Sequence, residues 1–245
     1  MNYAVPKNQG RVRVQMLWQK TKHLLGPWVR VMTPDAGSSS EVSKNRGMVF
    51  IPEIGDHVML GFHHHNPNKP LVLGSLFNGT TGAGGQEKNH LKSIFTRGGS
   101  TITFNELDNS ILIKDPSGNT WFMDGKGNIK VTAPKNMTIS VGDNLDITVG
   151  KDMSLSVGND KTSTIGNNNK LDIGNNNSTT IAALYKLVTN MYNEKVNEDK
   201  KVDITGNLVE TTATTTHKAV GGDILIKSAG IAKVLGAVDA KVNKG

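Results

Sequence analysis

Three consecutive histidines, His63-His64-His65, and the set Trp18, Trp28, Arg11, Arg13 and Arg30 are the side chains best suited to chemistry. Adjacent imidazoles are candidate metal ligands, but neighbours along a strand point to opposite faces, so three in a row cannot converge on one ion. They stand beside a turn and are expected to be solvated, with no metal bound. Indole planes beside guanidinium groups are the chemistry of a single-stranded nucleic-acid groove. Such residues more often serve structure, the Trp by burial and the Arg at strand edges, so no specific nucleic acid is expected. Segments rich in Gly, Asn and Asp suggest calcium-binding coils, yet those need a nine-residue period and a Gly-Gly-x-Gly-x-Asp core. Neither occurs here. No Gly-x-Ser-x-Gly, His-Glu-x-x-His or phosphate-loop pattern occurs either, so the chain reads as a non-enzyme with no catalytic residue and no cofactor.

The elements that would carry any site are strands. The 245 residues suit one large domain or two smaller ones, and aromatics at 5% are a thin supply for a monomeric core. Glycine is plentiful at 27, with many Asn and Thr, which favours strands and turns over helices. There is no cysteine, so disulfides and thiolate metal sites play no part. Lys and Arg number 28 against 21 Asp and Glu, a net +7 spread along the chain as a solvated surface would be. No apolar run is long enough to cross a membrane, and no hydrophobic signal core opens the chain.

Residues 1–77 predict a small β-barrel. Val12, Val14 and Met16 alternate with Arg11, Arg13 and Gln15, the period of a half-buried strand. Further strands are expected over Trp28–Val31, Met48–Ile51, His57–Phe62 and Leu71–Leu76, with turns at Pro34–Gly37, Pro52–Asp56 and Asn66–Pro70. Five short strands at this spacing suggest a barrel of the OB type. Residues 78–99 are rich in Gly and Thr and read as an extended linker.

Strand patterns resume at residue 100, and over 100–181 they lock into a repeat of eight. Gly142, Gly150, Gly158, Gly166 and Gly174 head successive blocks, which close on Val149, Val157, Ile165, Ile173 and Ile181. Positions four and six are apolar as well: Leu145 and Ile147 in one block, Met153 and Leu155 in the next, Leu171 later. Met137, Ile139 and Val141 extend the frame backwards. Even positions therefore share one strand face, and glycine permits a sharp bend between strands. Further on the frame turns polar, with Lys161, Ser163, Asn169 and Asn177 at inward positions.

An octad cannot bury its apolar face alone. One chain coiling with three octads per turn would complete only about two turns, too few for a solenoid that needs about three repeats before caps. Three chains wound together make each octad one side of a triangular layer and leave no free strand edge. An intertwined trimeric triple-stranded β-helix, all-β throughout, is the expected architecture. Residues 182–245 are expected to continue it irregularly or to form a distal tip region. Leu184, Leu187, Val188 and Met191 have helical spacing as the alternative, but no heptad persists beyond two turns.

Four segments resemble the OB domain of VgrG spike proteins: Arg11–Trp18, Trp28–Gly37, Gly47–Met59 and Asn66–Ser75, the last ending in the Asn-Pro-x-x-Pro-x-Val-Leu-Gly-Ser pattern. VgrG is the valine-glycine repeat protein of type VI secretion systems, related to the spikes of contractile-tailed phages. The resemblance implies a homotrimer seated on an Hcp tube or base protein at its N-terminal end. A PAAR-type tip protein and effectors would ride at the other end, and the work would be mechanical puncture of a target membrane. It also implies assembly in the bacterial cytoplasm followed by injection. The usual N-terminal tube-docking domain does not precede residue 1, so a shortened form or a separate base protein is expected. A single-stranded nucleic-acid-binding protein and a trimeric surface-fibre or adhesin stalk are the alternatives.

Overall fold

A computed structural model describes residues 9–19, 26–82 and 86–237. The chain divides into two units, one ending at Ser154 and the other beginning at Leu155. The described residues contain strands, one 3-10 turn and no α-helix, so the protein is all-β.

The first sheet holds β1 (Arg11–Arg13), β2 (Trp28–Val31), β5 (His57–Phe62) and β6 (Pro70–Leu76), in the order β1-β2-β6-β5. β2 and β6 run parallel and the other pairs antiparallel. Two valines anchor it: Val29 on β2 and Val72 on β6 are the fully buried side chains among the described residues. A bulge between Met59 and Leu60 shifts the β5–β6 register, the local irregularity by which a strand bends.

Two expectations for this segment fail in detail. Ala36–Gly37, read as a turn, is β3, and it pairs with β4 (Arg46–Gly47). Met48–Ile51, read as a strand, carries no ladder. The reason lies at Gly47, whose φ is +114° and where a Cβ would stand 2.1 Å from the Asp35 carbonyl oxygen. Only glycine allows that approach, and the chain departs from the small sheet just after it. Arg46 closes the hairpin by donating to Asp35 across 2.8 Å.

The second sheet is a meander of β7 (Leu91–Phe95), β8 (Thr101–Asn105), β9 (Ser110–Lys114), β10 (Thr120–Met123) and β11 (Ile129–Thr132), all antiparallel. It begins inside the stretch read as a linker. Its last two turns share one device. Asp115 accepts from the Asn119 backbone N–H at 3.0 Å and from Asn119 Nδ2 at 2.8 Å. Asp124 does the same with Asn128 at 3.1 and 2.6 Å.

After β11 the backbone changes character. From Ala133 to Ala237 no described residue joins a backbone–backbone hydrogen bond within the chain, and from Pro134 every described residue is exposed. The backbone bends instead at regular intervals: 142–143, 150–151, 158–159, 166–167, 174–175 and 182–183. Between bends it carries no helix or ladder.

Candidate self-assembly site

The meander presents one strongly apolar face. Ile94, Ile102, Ile113, Trp121 and Val131 stand directly opposite one another on five successive strands. Two residues along, Phe104, Ile111, Met123 and Ile129 form a second row on the same face. This follows from the pleat, because residues two apart share a face and antiparallel register aligns them into rows. Phe50 and Met137 join the first row around an open groove of about 690 Å³. Most of these side chains are only half covered, the condition of a surface that meets a partner.

Every residue proposed from the octads is exposed. Val141, Val149, Val157, Ile165, Ile173 and Ile181, which end their blocks, keep 43–49% of their surface. Met137, Ile139, Leu145, Ile147, Met153, Leu155 and Leu171, at positions four and six, keep 58–73%. The bends fall at Gly142, Gly150, Gly158, Gly166 and Gly174, yet none of these glycines lies in the left-handed region. A Cβ added at any of them would meet nothing within 4 Å. Within one chain, therefore, the bends expected at these glycines occur without calling on glycine's left-handed freedom.

The bends continue beyond 183, at 190, 197–198, 205–206, 213, 220–222, 229–230 and 237. The helical alternative for Leu184–Met191 is thus not found: the stretch holds a bend at 190 and no helix. Within this part Glu194 forms a polar cluster. It accepts from the Tyr192 hydroxyl at 3.2 Å and from Lys200 Nζ at 2.6 Å. The Lys200 bond, then the Tyr192 bond, holds the Glu194 carboxyl below its ordinary range. The same bonds raise the Lys200 ammonium and the Tyr192 phenol.

The chemistry-bearing residues of the first sheet do not converge. His63–His65 form a 3-10 turn with His64 and His65 at φ 51° and 59°, not a strand end, and all three are exposed. No group of three or more His, Asp or Glu suited to a metal ion occurs among the described residues. Trp18 is exposed rather than buried. Trp28 lies opposite Arg13 on β1, whose guanidinium sits 4.8 Å from the ring centre. Absent from the sequence reading were the paired Asp-x-x-Gly-Asn turns at 115–119 and 124–128. Their nine-residue spacing was the available signal.

Residues 2–77 match the model of the type VI secretion system/phage-baseplate injector OB domain. Residues 90–234 match that of the bacteriophage T4 gp5 C-terminal trimerisation domain. Among curated proteins the chain is similar to the type VI secretion system spike proteins VgrG1a and VgrG1b of Pseudomonas aeruginosa. Each is 28% identical over 106 residues, which is 40% of this chain. The matched stretch spans 16% of VgrG1a and 14% of VgrG1b. These likenesses support a spike of the phage-baseplate and type VI secretion kind and self-assembly into a homotrimer.

Proposed function

The chain belongs to the family of the bacteriophage T4 gp5 C-terminal trimerisation domain, and from that premise we propose that three copies wind into the cell-puncturing spike of a contractile injection machine. One observation carries the reading. Over Pro134–Ala237 the chain is without helix or ladder, bent at regular intervals and exposed throughout, with an apolar residue at most of the inward positions of its early blocks. Ordering a residue's backbone costs about 1–2 kcal/mol, and this stretch has no ladder of its own to offset it. Two further copies supply both missing parts, ladder partners along each edge and apolar cover on the inner face. Three half-covered meander faces meet in the same way at the head of the winding.

A shaft built so has every backbone group paired between chains, which suits a part that must survive being driven through an envelope. The work is mechanical, so no residue acts as a catalyst. An Hcp tube or base protein at the N-terminal end, and a PAAR-type tip protein with effectors at the other, complete the assembly. Such a spike is assembled in the bacterial cytoplasm and leaves it by injection.

The solution mass of the purified chain tests this. Light scattering should give three times the 26.3 kDa of one chain. A monomeric mass would sink the proposal.

A further inference from the structure

The repeat changes phase once. Bends at 182–183, 190 and 197–198 enclose a unit, residues 190–196, of seven residues where the units before it have eight. Counted back from the following bend, Val196 is a block-ending residue, and so is Ile204 after the next eight. Both keep 45% of their surface, as the earlier block ends do. The phase is confirmed on the outer face. Lys170 and Asp172 occupy positions five and seven and pair at 3.1 Å with side chains 85% exposed. Lys201 and Asp203 take the same positions only if the short unit is admitted, and they are 86% and 81% exposed.

The corrected phase places Tyr192 and Lys200 at position four and Glu194 at position six, on the face that carries Val149 and Ile181 further back. Glu194 accordingly keeps only 34% of its side-chain surface. A charged pair thus stands at positions that hold hydrophobes in the first two octads and Lys161, Asn169 and Asn177 in the next three. A plain octad repeat has a weakness that this pair answers. Blocks ending in Val or Ile look alike, so one copy can slide against the others by a whole unit and still bury its apolar face.

We propose that the Glu194–Lys200 pairs of three copies form two adjoining polar layers inside the trimer, together charge-neutral, that fix the register of chains otherwise free to slip by whole units. The inference rests on the trimeric reading. The pair lies within one chain, so in register the pairs of three copies lie level with one another, and a slipped copy carries its own pair away from the other two. Slipped by one unit, Glu194 lies level with Leu187 or Val202 of its neighbours, and Lys200 with Tyr192 or Leu208. An ion pair set among apolar side chains bears its desolvation cost without neighbouring polar groups, whereas aligned polar layers keep the three pairs together. The short unit adds to the discrimination, since a slipped copy would set seven residues beside eight.

A charge-swap series tests the layers. Glu194→Lys and Lys200→Glu should each lower the unfolding temperature of the trimer markedly, and the double swap should recover most of the loss. Asp172→Lys, on the outer face, should leave it unchanged. Register is read separately with a spin label at Thr215→Cys, since the chain has no other cysteine. The native sequence should give a single distance between labels. Glu194→Leu with Lys200→Leu, plus one alanine inserted after Asn190, should add longer distances. Single swaps as harmless as Asp172→Lys, or one unchanged distance in the uniform-repeat variant, would overturn the proposal. A monomeric native chain would instead defeat the trimeric reading itself, and light scattering of the same sample tells the two failures apart.

Discussion

Ile113 stands directly opposite Trp121 across the β9–β10 ladder, and each keeps 45% of its surface. They occupy the middle of a five-strand apolar row, in a chain whose fully buried described hydrophobes are Val29 and Val72. A row so placed is expected to matter to assembly more than to the fold of one chain. Ile113→Ala should cost the trimer about 2 kcal/mol per copy, the low end for a buried isoleucine because part of its surface is already covered in one chain. Ile113→Asp should abolish the trimer. Unfolding curves and scattering masses of the two variants check both outcomes.

Arg13 lies over Trp28, and its stacking there occupies the ring face that a nucleobase would need. A single-stranded oligonucleotide should therefore show no mobility shift with the protein at moderate salt. Arg13→Met should lower stability by about 0.5–1 kcal/mol, the worth of an exposed cation–π pair. A shift with the native chain that Trp28→Ala removes would revive the nucleic-acid function.

Gly150→Ala should be tolerated. Gly150 is outside the left-handed region and nothing lies within 4 Å of an added Cβ, while Ala182 already stands at the same place in its own unit. Restricting the unfolded chain should raise stability by about 0.4–1 kcal/mol per copy. A loss of the trimer on thermal unfolding would mean that a neighbouring copy crowds the corner.

The Asp115 carboxyl is lowered to about 2, first by the Ser117 hydroxyl and then by Asn119. A carboxylate depressed on folding adds stability that is present above its unfolded value of 3.8 and fades as pH falls toward about 2. The β9–β10 turn should thus keep its full support at pH 5 and lose it between about 4 and 2. Carbon-detected titration of Asp115 should show a midpoint near 2, and Asp115→Asn should flatten the acid limb of stability.

Much of the architecture was legible in the residues alone. Five glycines eight apart announce the bends that fall at 142, 150, 158, 166 and 174. The resemblance carried by Asn66–Ser75 was legible for the same kind of reason: turn residues at fixed offsets leave a local signature. The β4 hairpin was not, since Gly47 is needed for an approach to Asp35 that no local pattern announces.

Phase and register belonged to the tertiary structure. The strand-like run Val202-Asp203-Ile204 could be seen in the sequence, but not that Val202 and Ile204 stand at positions six and eight of their unit. That depends on the seven-residue unit at 190–196, which has no glycine to mark its bends. The row from Ile94 to Val131 likewise exists only once five strands are paired, because facing within a strand is local whereas alignment between strands is set by the turns that join them. Composition and period thus determined that the chain builds a repeating all-β structure with an apolar face. Only the folded backbone decided where the bends change step and that Glu194 and Lys200 pair across that step.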